Sequence, residues 1–331
     1  MTSTLTVNKK LILIIGLLVV LPILSFGLNK APDKDLINCN SEQIKTDISA
    51  QLNTLSYDLE EIRNAIGKKP ARKNMLQAKN ASSREIYFEA ENLYKKLDRL
   101  SYEITGIYRN TPELDERKIT ICDVDELLNQ SFSLIEPIKN RLNIVKESKQ
   151  ASRKNTVTKA EIFNQVLEIN SQINNLSYQK TMPSDVFNQV TIAIRYLENV
   201  LVFLNISNDL AIKNISATDK TPENVYNEML QTLQDIQSVY TDSGLTILDF
   251  QVQDDMSNIM PDDVLNLAKI TVAEVRYLAT FLPNPIKPKS YDFGYKTPSE
   301  VYQQVILLKL QLDALKKYAV QHPDWVHRDQ K

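Results

Sequence analysis

Histidine and cysteine are the side chains best suited to ligating metals and to nucleophilic or acid–base chemistry. The chain has two of each: His322, His327, Cys39 and Cys122. Both histidines lie in the stretch HPDWVH, around Asp324 and the single tryptophan, Trp325. A His-Asp-His cluster beside a tryptophan offers a metal site or a tail that docks on a partner. A spacing of five, however, puts the two imidazoles on different sides of a helix, and Pro323 opposes one helix through both. The spacing favours plain packing of the tail. No Ser-His-Asp, Cys-His or HExxH arrangement can be assembled. Carboxylates are plentiful, but they stand at helix starts and on polar faces, where nothing sets two of them apart as an acid–base pair.

Glycine is scarce, at 6 residues. Positions 16, 27, 67, 106, 244 and 294 are too widely spaced for a GxGxxG or GxxxxGK[ST] phosphate cradle. Net charge is −2 and evenly spread, which argues against a nucleic-acid binder, since such a protein needs a basic face. The sequence therefore assigns no catalytic residue, no cofactor and no metal ligand. An enzyme of unrecognised type remains an alternative.

The amino terminus has a different character. Lys9 and Lys10 precede LILIIGLLVVLPIL at 11–24, and Ser25-Phe26-Gly27 follows. A basic start, a short apolar core and a small-x-small exit make a secretory signal peptide over 1–27. The rival is an uncleaved anchor over 11–28, at the lower edge of what spans a bilayer. Either way Lys9 and Lys10 stay cytoplasmic and the rest of the chain is extracytoplasmic. In that compartment Cys39 and Cys122 can form a disulfide. Each lies just before an expected helix, so the two can meet at one end of a bundle.

The elements that position these residues share one repeated start. Residues 297–305 read TPSEVYQQV, 221–229 TPENVYNEM, 183–190 PSDVFNQV and 159–166 KAEIFNQV, with looser copies at 83–90 and 261–268. Thr297…Glu300, Ser82…Glu85 and Thr158…Glu161 are capping boxes, and proline at the first helical position fits the same scheme. Behind each start runs a 4-3 apolar stripe. In the last copy it is Val301, Val305, Leu308, Leu312, Leu315 and Ala319. Such a stripe keeps one face on a partner helix. Eight amphipathic helices follow, and the expected fold is all-α, packed as antiparallel helical bundles. The polar stretch ESKQASRKNT at 147–156 sets the expected boundary, with three helices in 28–147 and five in 157–331. Pro137 is expected to kink the third helix. LTILDFQV at 245–252 alternates like a short edge strand. Most connections are longer than bundle turns usually are.

One loop carries a strong charge bias. GKKPARKNMLQAK at 67–79 has five cations and no acid: Lys68, Lys69, Arg72, Lys73 and Lys79. With the connection around 148–154 it is expected to form a basic pole for an anionic envelope component or an acidic protein. The aromatic row at the helix starts (Tyr87, Phe163, Phe187, Tyr226, Tyr302) is a second candidate surface. The function expected from all this is that of an exported or membrane-tethered helical scaffold of the bacterial envelope. It would act by binding an unknown protein or anionic partner, with membrane contact only through the amino-terminal segment. A helical sensor-like module with a small ligand is the alternative.

Overall fold

The computed structural model describes residues 41–71, 74, 76–107, 109, 119–145, 155–178, 180–207, 217–246, 248–252, 258–283, 285–289, 291 and 293–330. The signal or anchor segment and Cys39 lie outside the described residues. Helices α1 (Ser41–Ala65), α2 (Ser83–Thr105), α3 (Ile121–Phe132), α4 (Ile135–Arg141), α5 (Lys159–Leu176), α6 (Pro183–Phe203), α7 (Pro222–Asp242), α8 (Pro261–Ala279) and α9 (Pro298–Gln321) account for most of the protein. Strands β1 (Leu76–Ala78) and β2 (Phe250–Val252) form a two-stranded antiparallel ladder with Leu76 opposite Val252. The chain from residue 39 onward is one compact unit.

The helix starts form as their sequences dictate. Thr120, Thr158, Thr221 and Thr297 each accept from the backbone N–H three residues on, and the side chain there accepts from the cap's own N–H in return. Where methionine stands at the cap, the carboxylate supplies its half alone: Asp185 accepts from Met182 N–H and Asp263 from Met260 N–H, both at 2.8 Å. At the other end of α2, Gly106 adopts a left-handed φ of 75° and donates to the Tyr102 carbonyl. The third expected helix is broken rather than bent. Ser133 and Leu134 separate α3 from α4, four residues before Pro137, at the carbonyl that the missing proline N–H would have served.

The helices sort into two groups by packing. In the first, α1 packs on α5 and α3, and α2 packs on α5, α3 and α4. In the second, α6 packs on α8 and α9, and so does α7. Both groups thus close a ring in which the first and second helices lie diagonally opposite. The boundary expected at 147–156 does not follow this packing, because α5 sits with α1 and α2.

The expectation of antiparallel bundles is overturned. Pro183 and Val186, Pro222 and Val225, Pro261 and Val264, and Pro298 and Val301 line one shared depression. These are the first and fourth residues of α6, α7, α8 and α9, so all four helices start at the same end. Ion pairs keep that register along their length: Lys309 meets Glu228 at 2.8 Å and Lys316 meets Asp235 at 3.9 Å. The first group is parallel too. Gln165 and Gln172 of α5 donate to Asn53 and Ser56 of α1 in rising order, at 3.1 and 2.9 Å. The physical reason is connection length. Segments 204–221, 243–260 and 280–297 are each 18 residues long. Extended, 18 residues reach about 60 Å, ample to return along a helix of about 30 Å. Only the link 177–182 is short, and there the direction reverses, so the two groups run opposite ways.

Parallel packing brings four positive helix ends together. Acids in the first turns offset them: Asp185, Glu223, Asp262 with Asp263, and Glu300. The ends also interlock. The N–H of Lys296, before α9, donates to the Ser184 hydroxyl of α6 at 3.0 Å. The N–H of Lys220, before α7, donates to the Ser299 hydroxyl of α9 at 3.0 Å. Thr181, before α6, donates to the Asp262 carboxylate of α8. Each bond joins two ring neighbours.

Candidate functional site

The two bundles meet where α2 lies against α8, and ionisable side chains that the sequence analysis did not single out are buried there. Arg84 Nη2 reaches Glu274 Oε2 at 3.1 Å and also bonds Glu85. All three side chains are largely buried, Glu274 at 1% exposure. The guanidinium stacks on the Tyr277 ring, 3.6 Å from its centroid. Tyr240 donates its hydroxyl proton to the Glu274 carbonyl at 2.9 Å. Further along, Glu89 accepts from Asn170 of α5 at 3.1 Å and from Asn92 at 3.3 Å. Lys96 donates to the Asn170 carbonyl at 3.2 Å. Arg276 lies 3.8 Å from Glu91 and over the Phe88 ring.

Burial sets the acid–base character of this seam. It lifts the Glu274 carboxyl to about 7, against the pull of Arg84. It raises Glu89 as well, against Lys269 and Lys96. Burial and the neighbouring Lys269 bring Lys96 down to about 7. Burial opposes the charge on Arg84, but Glu274, Tyr240 and Glu85 outweigh it and raise its pKa. The seam is therefore a joint between bundles in which burial pushes the Glu274 carboxyl up and the Lys96 ammonium down. A signal was present in the sequence: Lys269 and Glu274 directly flank the stripe residues Ala268 and Val275.

The expected basic pole is dispersed. In a parallel bundle the segment 66–82 must run from the end of α1 to the start of α2, which separates the described cations at its two ends. Lys68 and Lys69 lie at the end of α1. Lys79 lies beyond β1, with its ammonium 3.9 Å from Asp249. Lys68 stands over the Tyr178 ring at 5.2 Å, and its carbonyl accepts from Arg63. Arg72 and Lys73 lie outside the described residues. The aromatic row proves to be interhelix packing. Tyr87, Phe163, Phe187 and Tyr226 are buried, Lys296 covers Phe187 at 4.8 Å and Lys220 covers the half-buried Tyr302 at 4.6 Å.

Cys122, in the first turn of α3, is disulfide-bonded. Trp325 is buried, and its indole N–H donates to the Ser243 hydroxyl at 2.8 Å, so the tail packs on the end of α7. The His322 ring rests against Tyr318, while the side chain of His327 lies outside the described residues. Among the described residues no group of three or more His, Cys, Asp or Glu stands together to hold a metal ion. Nor is any described helix long and apolar enough to cross a membrane. Among the described residues, two of the surface depressions are well defined. One is the apolar Pro/Val depression of about 230 Å³. The other is a polar cleft of about 420 Å³ between α1 and α5, lined by Glu60, Arg63, Glu168 and Gln172 among others. No known protein family, curated protein or solved structure matches this chain.

Proposed function

We propose that this protein is an exported or membrane-tethered scaffold of the bacterial envelope that works by binding rather than catalysis. The observation that carries this reading is the seam: Arg84 of α2 pairs with Glu274 of α8 across the two bundles, and Lys96 of α2 donates to the Asn170 carbonyl of α5 beside it. Such groups mark active sites when they converge on a substrate cleft. Here Arg84 and Glu274 join the two bundles, which suits a body that presents surfaces. The amino-terminal segment 1–27 or 11–28 supplies the export signal or anchor. A Cys39–Cys122 bridge ties the start of α1 to the start of α3. The two rings, with the same order and the same helix starts, descend from duplication of one helical unit. Crosslinking in intact cells, followed by fractionation, tests the reading. Recovery of the chain outside the cytoplasm with a reproducible captured partner supports it. A cytosolic chain, or turnover lost on Glu274→Gln, overturns it.

A second reading takes support from the cleft between α1 and α5. Glu60, Arg63, Glu168 and Gln172 offer charges of both signs to a small polar ligand, as a sensor-like module requires. Thermal stabilisation by a polar metabolite, abolished by Gln172→Leu, would support it.

A further inference from the structure

The ends of α1, α2, α4 and α5 lie together at one pole of the first bundle, because these helices run parallel. Large apolar and aromatic side chains stand out there. Tyr102 is 55% exposed, Ile107 52%, Tyr178 67% and Val145 92%. Lys69, Arg141 and Lys180 are exposed among them. Among the described residues, three carboxylates at this pole are already engaged. Glu60 bonds Arg63, Glu103 bonds Arg99 and the Tyr178 N–H, and Asp98 accepts from the Arg109 N–H. Among the described residues the pole therefore presents exposed cations around half-exposed phenols, the half-exposed Ile107 and the almost fully exposed Val145.

We propose that this pole seats on the headgroup layer of an anionic phospholipid bilayer. The proposal rests on the binding-protein reading above and names the partner. Cations give the attraction to anionic headgroups. Tyrosine suits the interface because its ring is apolar and its hydroxyl wet. An anionic polysaccharide would satisfy the cations equally well, but it offers no apolar phase to receive Val145 and Ile107. Apolar exposure gathered at one pole, rather than scattered singly, suits a contact surface. Cations near helix carboxyl ends also offset the helix dipoles, and that role alone makes a different forecast. Helix α1 has 25 residues and is about 37 Å long, so its first residue, Ser41, and this pole stand at opposite ends of the first bundle.

The test uses the compact unit 39–331, which lacks the apolar amino-terminal run. Co-sedimentation is measured with vesicles of phosphatidylcholine alone, with vesicles containing phosphatidylglycerol, and with isolated peptidoglycan. Binding is expected to the anionic vesicles only, and to weaken as salt screens the charges. Changing Lys69, Arg141 and Lys180 together to Ser should lower vesicle affinity roughly a hundredfold. The corresponding Arg, Lys and Arg replacements should preserve it, and Tyr102→Ser with Tyr178→Ser should weaken it independently. Equal binding to neutral vesicles, or binding to peptidoglycan alone, overturns the proposal. A triple Ser variant that melts earlier yet binds vesicles unchanged also overturns it, leaving the cations as helix-end partners. If that variant loses vesicles but still captures a protein in cells, the scaffold reading stands beside the lipid seat. If wild type binds no vesicle yet captures a protein, only the lipid seat falls.

Discussion

Arg84 of α2 and Glu274 of α8 meet at 3.1 Å across the two bundles, with the guanidinium lying over Tyr277. Removing one partner of a buried pair strands the other in a poor solvent. Glu274→Ala should therefore destabilise the protein by about 3 kcal/mol, less than a lone pair would lose because Glu85 still holds Arg84. Arg84→Ala strands two carboxylates and should cost more. Urea unfolding of both variants checks the order, and a neutral Arg84→Ala would contradict it.

Glu274 and Lys96 act oppositely with pH. Burial raises the Glu274 carboxyl from 4.5 to about 7, so its contribution is complete below about 4.5 and lost as pH rises through about 7. Burial and Lys269 lower Lys96 from 10.5 to about 7, so its contribution is present above about 10.5 and lost as pH falls through about 7. The two losses coincide near neutrality. The melting temperature should pass through a shallow minimum near pH 7. Glu274→Gln should flatten the acid limb and Lys96→Met the alkaline limb. A melting temperature that peaks at neutrality would sink this account.

The helix caps and the stripe should differ in weight. Thr297→Ala removes the acceptor for the Glu300 N–H and should cost about 1 kcal/mol. Leu308→Ala opens a cavity at a position with 0% exposure and should cost about 2–5 kcal/mol. Chemical denaturation of the two single variants separates them, and equal small losses would mean the stripe is not packed as described.

Helix direction can be measured with spin labels. Glu223 lies in the first turn of α7 and Lys317 near the end of its ring neighbour α9, and both are exposed. Parallel helices place labels there about 30 Å apart, the length of α7, whereas antiparallel helices would bring them to about 10 Å. A pulsed dipolar measurement on the Glu223→Cys, Lys317→Cys variant decides between the two.

The eight helices were legible because caps and stripes are local. Thr297, Glu300 and Leu308 announce a start and a buried face without reference to anything distant. Direction was not legible, since a 4-3 stripe packs equally well on a partner running either way. The return connections held the clue, because 18 residues between helices is slack that a hairpin does not need. The break at Ser133 was half legible: Pro137 marked the disturbance, but its effect falls on the carbonyl four residues earlier. Only the strand end of 245–252 forms the ladder, as β2, where β1 supplies a partner. The seam escaped because Lys269 and Glu274 have the composition of a solvated flank. Only the arrival of α2, more than 160 residues earlier in the chain, turns that flank inward.

The ring order also governs how the protein must assemble. Helix α6 packs chiefly on α8 and α9 rather than on its successor α7, and α1 likewise packs on α3 and α5 rather than on α2. The consecutive helices that do pack, α2 with α3 and α7 with α8, run parallel, so neither bundle begins as an antiparallel hairpin, the usual first step in helical proteins. Its first stable contact must close a loop of dozens of residues, and that entropy is lost before packing compensates. Contact order is thus closer to that of a β-sandwich than of an up-and-down bundle. Folding should take milliseconds to seconds rather than microseconds.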